Sequence, residues 1–163
     1  MQEMDVLGVR VSIPENEVVV VLAVRGAGRT VLPIVIGPRE GASIATAQAG
    51  IVPERPQTHD LFISLLEATG VRLDQVRVTS LEQGTFHAEL VLSSGQHVDS
   101  RPSDAIALAL RARCPVLCDD GVLIAAGVVM DAEDEAEVVA DFQAFLENVE
   151  PEDFEARGGP EEG

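Results

Sequence analysis

The sequence predicts an α+β fold: a largely antiparallel sheet in two similar strand–strand–strand–helix halves, with helices packed on it and an acidic C-terminal helix. Three observations lead there. Short apolar, β-branched runs recur between Gly, Pro and Asn turns. After three such runs a proline opens an Ala-rich helical stretch, once at Pro38 and once at Pro102. The charge is unevenly split along the chain, which separates a near-neutral body from an acidic end.

Taken in order, Met4 to Ile13 alternates loosely in hydrophobicity and ends at Pro14, the pattern of a strand. Pro14 to Glu17 is a turn. Val18 to Val24 is a continuous apolar run, long enough for a buried strand, and Thr30 to Ile36 is a third. Pairing neighbours gives an antiparallel meander. Pro38 then opens a helix with Glu40 at the positive end of its dipole, and Gly50 closes it. Ile51 to Pro56 is a loop fixed by two prolines. Thr58 is a good N-cap for a helix from His59 to Ala68, whose apolar face is Leu61, Phe62, Leu65 and Leu66.

The pattern then repeats. Val71 to Thr79, Gly84 to Leu92 and Gln96 to Asp99 read as strands, and a helix follows from Pro102. Its N-cap is Ser100 or Arg101, and Ser100 has the better capping chemistry. Ala105 to Leu110 is apolar nearly all round, so this helix is buried. Pro115 to Cys118 is a short strand, and Asp119 to Val128 is a turn leading into a short helix or strand. The recurrence over 4–50 and 71–113 suggests an internal duplication.

The length of 163 residues suits one domain with a real core. With 46% hydrophobic but only 3% aromatic residues, and neither Trp nor Tyr, that core is Val, Ile, Leu and Ala. No run of about eighteen apolar residues exists to cross a membrane. The N-terminus is acidic and lacks the basic start of a signal peptide, so a cytoplasmic protein is expected. Cys114 and Cys118 fit free buried thiols there, and no Cys/His set has zinc-ligand spacing. The expected organisation is a body over 1–130, an acidic helical extension over 131–149 and a disordered acidic tail over 150–163.

Net charge is −17, of which −14 falls after Cys118; every basic side chain is Arg. A dedicated non-specific nucleic-acid binder would be basic, and this chain is not. The acidic end is expected to repel nucleic acid and to compete for Arg side chains. In the 131–149 segment, Val138, Val139, Phe142, Phe145 and Leu146 form a stripe able to dock on the body or on a protein partner. Val-rich strands with little polar cover and open sheet edges point to a homodimer.

Polar side chains stand at the starts of helices that otherwise look buried. Among them, Arg101-Pro102-Ser103-Asp104-Ala105-Ile106-Ala107-Leu108-Ala109, with Cys114-Pro115 close behind, resembles the signature of the bifunctional nuclease domain family. So does Arg55-Pro56-Gln57-Thr58-His59-Asp60-Leu61, and so does Ile36-Gly37 followed by Glu40, although Gly41 stands where the family usually has Ala. The resemblance covers roughly residues 1–130. It implies nuclease activity on DNA and RNA.

Within these motifs, His59 with Asp60 is the first catalytic candidate, because a neutral imidazole accepts a proton from water or a hydroxyl. Arg101 and Asp104 complete the catalytic set. Glu40, Asp60 and Asp104 are the carboxylates able to hold a divalent metal, Mg2+ or Mn2+. Arg101, Arg39 and Arg55 are suited to bidentate phosphate binding, with Thr58 and Ser103 beside them as further substrate contacts. Structural ion pairs, Arg101 with Asp60 or Asp104, would explain the same residues. The competing reading is therefore a non-enzymatic module that binds an anion or small ligand, or that regulates through protein contacts. His87 and His97 read as strand-surface residues.

Overall fold

The computed structural model describes residues 1–131 apart from Ala27. The helical extension and tail expected beyond Asp131 lie outside the described residues. The elements are β1 (Gln2–Ser12), β2 (Glu17–Val24), β3 (Thr30–Ile36), α1 (Pro38–Gln48), α2 (Thr58–Ala68), β4 (Leu73–Glu82), β5 (Thr85–Leu92), β6 (His97–Ser100), α3 (Pro102–Ala112), β7 (Val116–Cys118), α4 (Asp120–Ala126) and β8 (Val128–Val129). The eight strands form one sheet in the order β6-β5-β4-β7-β1-β2-β3-β8.

The two halves are visible in this order. Each is an antiparallel meander that runs outward from the middle of the sheet and is followed by an 11-residue helix with proline in its first turn. Between them lies β7, antiparallel to β1 but parallel to β4. That parallel pair is the exception to an otherwise antiparallel sheet. Three residues of strand thus join the halves at the centre.

One face of the sheet makes the core. Val9, Val20 and Ile34 lie in register across β1, β2 and β3, and Val76 and Leu90, Val78 and Ala88 do the same across β4 and β5. All are buried in one cluster with Ile44 of α1 and Ile106 and Leu108 of α3. Burial of each large aliphatic side chain contributes about 1.5–3 kcal/mol. Helix α3 is buried from Pro102 to Ala109 except at Asp104, as its composition predicts. The opposite face differs between halves. Across β4–β5 it is polar, with Arg77 paired to Glu89 and His97 also on Glu89; across β2–β3 alternation places Val19, Val21, Pro33 and Val35 there.

Three local expectations are corrected. Thr58 is not the N-cap of α2: Gln57 is, through a reciprocal capping box with Asp60, and Thr58 is the first helical residue. The N-cap of α3 is Arg101 rather than Ser100, whose hydroxyl donates instead to the Arg101 carbonyl. Leu61, Phe62 and Leu65 do not face the body: they are 58%, 39% and 60% exposed, and α2 buries no residue fully. Leu66 of the expected face does pack inward, together with Ile63. The segment after Cys118 resolves as α4, capped by the Asp119 side chain accepting from the Gly121 N–H.

Gly41 has a packing role. A Cβ there would stand 2.6 Å from Val18 Cγ1 and 3.3 Å from Val9 Cγ1. Overpacking costs about 1–3 kcal/mol, whereas Ala in a helix interior gains about 1 kcal/mol over Gly. Gly41→Ala is therefore expected to lower the unfolding free energy by about 1 kcal/mol, and Val18→Ala in that background to remove the clash part of the loss. Urea unfolding that finds Gly41→Ala more stable than the parent would refute this account.

Candidate active site

The three helix starts that carry the polar motifs meet on the α1–α2–α3 side of the molecule. Pro38 and Pro102 set the first turns of α1 and α3, and these helices pack on each other. Glu40 and Asp104 therefore occupy the same position, third in their helices, and both reach Arg101. Its Nε donates to Asp104 Oδ2 at 2.6 Å and its Nη2 to Glu40 Oε1 at 3.2 Å. Gly37 leaves room for Glu40 to fold back, because a Cβ there would lie 2.1 Å from Glu40 Oε2.

His59 stands between α1 and α3. Its Nε2 is 3.0 Å from Asp104 Oδ1 and its Nδ1 is 2.8 Å from Ser43 Oγ. A carboxylate only accepts, so Nε2 carries the proton and donates to Asp104. In the neutral ring Nδ1 is then the acceptor, and the Ser43 hydroxyl donates to it. The His59 side chain is 17% exposed and that of Asp104 29%. Arg111, in the last turn of α3, completes the network. Its Nε donates to Asp60 Oδ1 at 2.7 Å, and its Nη2 donates to Ser43 Oγ at 3.1 Å and to the Ser43 carbonyl. The chain of contacts is continuous from Glu40 through Arg101, Asp104, His59, Ser43 and Arg111 to Asp60.

A pocket of about 390 Å³ opens over this network, lined by Arg39, Glu40, Ser43, Gln57, Thr58, His59, Arg101 and Asp104. Of the residues the sequence proposed, His59, Arg101, Asp104, Glu40, Arg39 and Thr58 thus come together. Three do not. Asp60 faces Arg111 and a second, more apolar pocket formed by the Ile51–Pro56 loop and the ends of α1 and α3. Arg55 is exposed and lines neither pocket. Ser103 is only 6% exposed within α3, out of reach of a substrate.

Ser43 and Arg111 were missed. Ser43 lies in an Ala-rich helix, three residues after Glu40, and carries no motif of its own. Arg111 follows Asp104 by seven residues, two helical turns, which sets both on one face of α3. That spacing was the available signal.

The donor set does not fit a divalent cation. Glu40 and Asp104 are both occupied by Arg101, and Asp60 accepts from Arg111 and from the Gln57 N–H. Among the described residues no three His, Cys, Asp or Glu side chains are grouped to hold a metal ion. The thiols are chemically quiet: burial pushes Cys114 up to about 11 and Cys118 up to about 12.

Burial by itself would raise the carboxyl pKa of Asp104, but hydrogen bonds from Arg101 and His59 outweigh it and hold the group below its ordinary 3.8. At Asp60 burial likewise opposes, and Arg111 and the Gln57 N–H prevail. Both groups thus contribute stability that is full well above the unfolded-state value of 3.8 and is lost as pH falls through the lower folded-state values. An Asp60→Asn/Asp104→Asn variant is expected to show a shallower loss of stability below about pH 4 than the parent in acid titrations followed by circular dichroism. Parallel acid limbs would contradict the assignment.

No helix among the described residues is long and apolar enough to cross a membrane. A family model described as the bifunctional nuclease domain matches residues 20–131. Uncharacterized proteins from two strains of Mycobacterium tuberculosis are 40% identical over 164 residues, covering 96% of this chain and 99% of each relative. Bifunctional nuclease 2 of Oryza sativa subsp. japonica is 28% identical over 113 residues, 64% of this chain but 35% of that protein. The matched span runs from within β2 through β8 and takes in every residue of the network from Glu40 to Arg111, and on this ground the chain belongs to the bifunctional nuclease domain family.

Proposed function

We propose that the protein is a nuclease that hydrolyses phosphodiester bonds of DNA and RNA in the cytoplasm. One observation carries the reading: the acceptor nitrogen of His59, oriented by Asp104, lies in the wall of a pocket flanked by two arginines. Arg39 is exposed and has no ion-pair partner among the described residues, and the Arg101 side chain is 65% exposed. Arg39 would offer a phosphate paired N–H donors, and Arg101, whose Nε and Nη2 donate to Asp104 and Glu40, would add its Nη1 donors and its charge. Asp104 and Glu40 hold Arg101 at the rim, and Asp104 holds the His59 ring. His59 takes the proton of the attacking group and returns it to the leaving oxygen. Asp60 acts at one remove, through Arg111 and Ser43.

The second reading, an anion-binding module without catalysis, draws on Arg101 being closed by two carboxylates. The two separate on assay of highly purified protein beside an Arg101→Ala/Asp104→Asn variant, with single-stranded DNA and RNA as substrates. Cleavage by the parent that falls at least 100-fold in the variant supports the nuclease. Equal residual cleavage in both marks a contaminant and favours the module.

Self-association into a homodimer belongs to the same proposal. The stripe of Leu61, Phe62 and Leu65 on α2 is one of the apolar surfaces that the fold leaves exposed among the described residues. Leu61→Asp/Leu65→Asp is expected to shift the protein from dimer to monomer in light scattering at micromolar concentration. A monomeric parent would end the idea.

A further inference from the structure

We propose that Ser43 is the nucleophile of this site and forms a covalent phosphoserine diester with the nucleic-acid strand. The inference rests on the nuclease reading above and goes beyond it, because that reading leaves the attacking group open.

The geometry is that of a hydroxyl, an imidazole and a carboxylate hydrogen-bonded in series. Asp104 fixes the proton on His59 Nε2, so the lone pair of Nδ1 faces Ser43 Oγ at 2.8 Å. At that distance no water fits between them. The proton that His59 receives directly is therefore the hydroxyl proton of Ser43, the arrangement that activates a serine for attack. Arg111 adds the second element. Its Nη2 donates to Ser43 Oγ at 3.1 Å, and its guanidinium charge favours the developing alkoxide. The Arg111 side chain is only 9% exposed and its Nε is tied to Asp60, so this donor is fixed in place. Ser43 also lines the pocket that contains Arg39 and Arg101, within which the phosphate would sit.

The steps balance without a further reactant. Ser43 Oγ forms a bond to phosphorus as the bond from phosphorus to one sugar oxygen breaks. The Ser43 proton passes to His59 Nδ1 and from there to the leaving sugar oxygen. Water then attacks the phosphoserine diester and gives a proton to His59. The P–Oγ bond breaks, and Oγ takes that proton back. One strand end leaves as a free hydroxyl, the other as a phosphate monoester. Since the nucleophile belongs to the protein, the 2′-hydroxyl of RNA has no part in the reaction. DNA and RNA then become equivalent substrates, which a mechanism using the 2′-hydroxyl cannot give.

The test has two arms. A fluorophosphonate probe is incubated with the full-length protein and its position found by peptide mass spectrometry. In parallel, hydrolysis of matched DNA and RNA oligonucleotides is measured for the parent, Ser43→Ala and His59→Asn. The expected result is a single adduct on Ser43, formed at least 100-fold more slowly in His59→Asn, and a loss of at least 100-fold in hydrolysis of both substrates by Ser43→Ala. If Ser43→Ala cleaves within threefold of the parent while His59→Asn does not, water is the nucleophile; the covalent step is overturned and the nuclease reading stands. Absence of any adduct on Ser43 in the parent overturns the proposal without recourse to a variant. An adduct on Ser43 in a protein that cleaves neither substrate defeats the nuclease reading, and the phosphoserine diester with it.

Discussion

Replacing Arg111 with Met is expected to lower the unfolding free energy by about 3 kcal/mol, the cost of breaking a largely buried ion pair by removing one partner. The Arg111 side chain is 9% exposed and that of its partner Asp60 24%. Four acceptors depend on Arg111: Asp60 Oδ1, the carbonyls of Ala107 and Ser43, and Ser43 Oγ. These belong to α1, α2 and α3, so one guanidinium joins all three helices. The effect should concentrate on α2, which buries no residue fully and rests against α3. Arg111→Lys should recover only part of the loss, because a single ammonium cannot reproduce the forked contact with Asp60 and Ser43. Urea unfolding measures the total, and hydrogen exchange in α2 locates it. A change below about 1 kcal/mol would mean that water replaces these contacts freely and that Arg111 organises nothing.

His59→Asn should reduce phosphodiester hydrolysis by about 10²–10⁴-fold with little change in melting temperature. Asn keeps a polar link toward Asp104 or Ser43 but cannot carry a proton between them. A merely structural His59 would give the opposite outcome, a lower melting temperature with cleavage unaltered. Asp104→Asn should act on the same step through the ring tautomer: an amide that donates to Nε2 moves the ring proton to Nδ1 and removes the acceptor from Ser43. Combining the two substitutions should cost no more than His59→Asn alone, since both disable one unit. Additive losses would show that Asp104 and His59 work independently.

Much of this was legible in the chain. Apolar runs between Gly and Pro turns mark the six meander strands, and the run Thr30 to Ile36 coincides with β3. Two prolines mark the starts of α1 and α3, and an apolar sequence all round marks α3 as buried. These features are local, set by backbone restriction and side-chain polarity within a few residues. Polar groups at the starts of buried helices lie at the core's edge, which holds for Glu40 of α1 and Asp104 of α3; their meeting with His59 of α2, a helix that buries no residue fully, is a tertiary contact.

Other features depended on which surfaces finally touch. The inward face of α2 is such a case. Leu61 and Leu65 obey helical periodicity, yet α2 packs on α3 through Ile63 and Leu66 and leaves Leu61 and Leu65 exposed. The parallel β4–β7 pairing is another, since three residues of strand carry no mark of their neighbours. The site shows the division most plainly. The sequence by itself determined the two halves, the buried helix and the polar starts, because each depends on neighbours along the chain. Only the tertiary structure decided that Asp60 pairs with Arg111 rather than joining Asp104, and that Ser43 of α1 meets His59 of α2. Both contacts cross between helices, and their 2.7–2.8 Å geometry is fixed by how α1, α2 and α3 pack, which no spacing within one helix specifies.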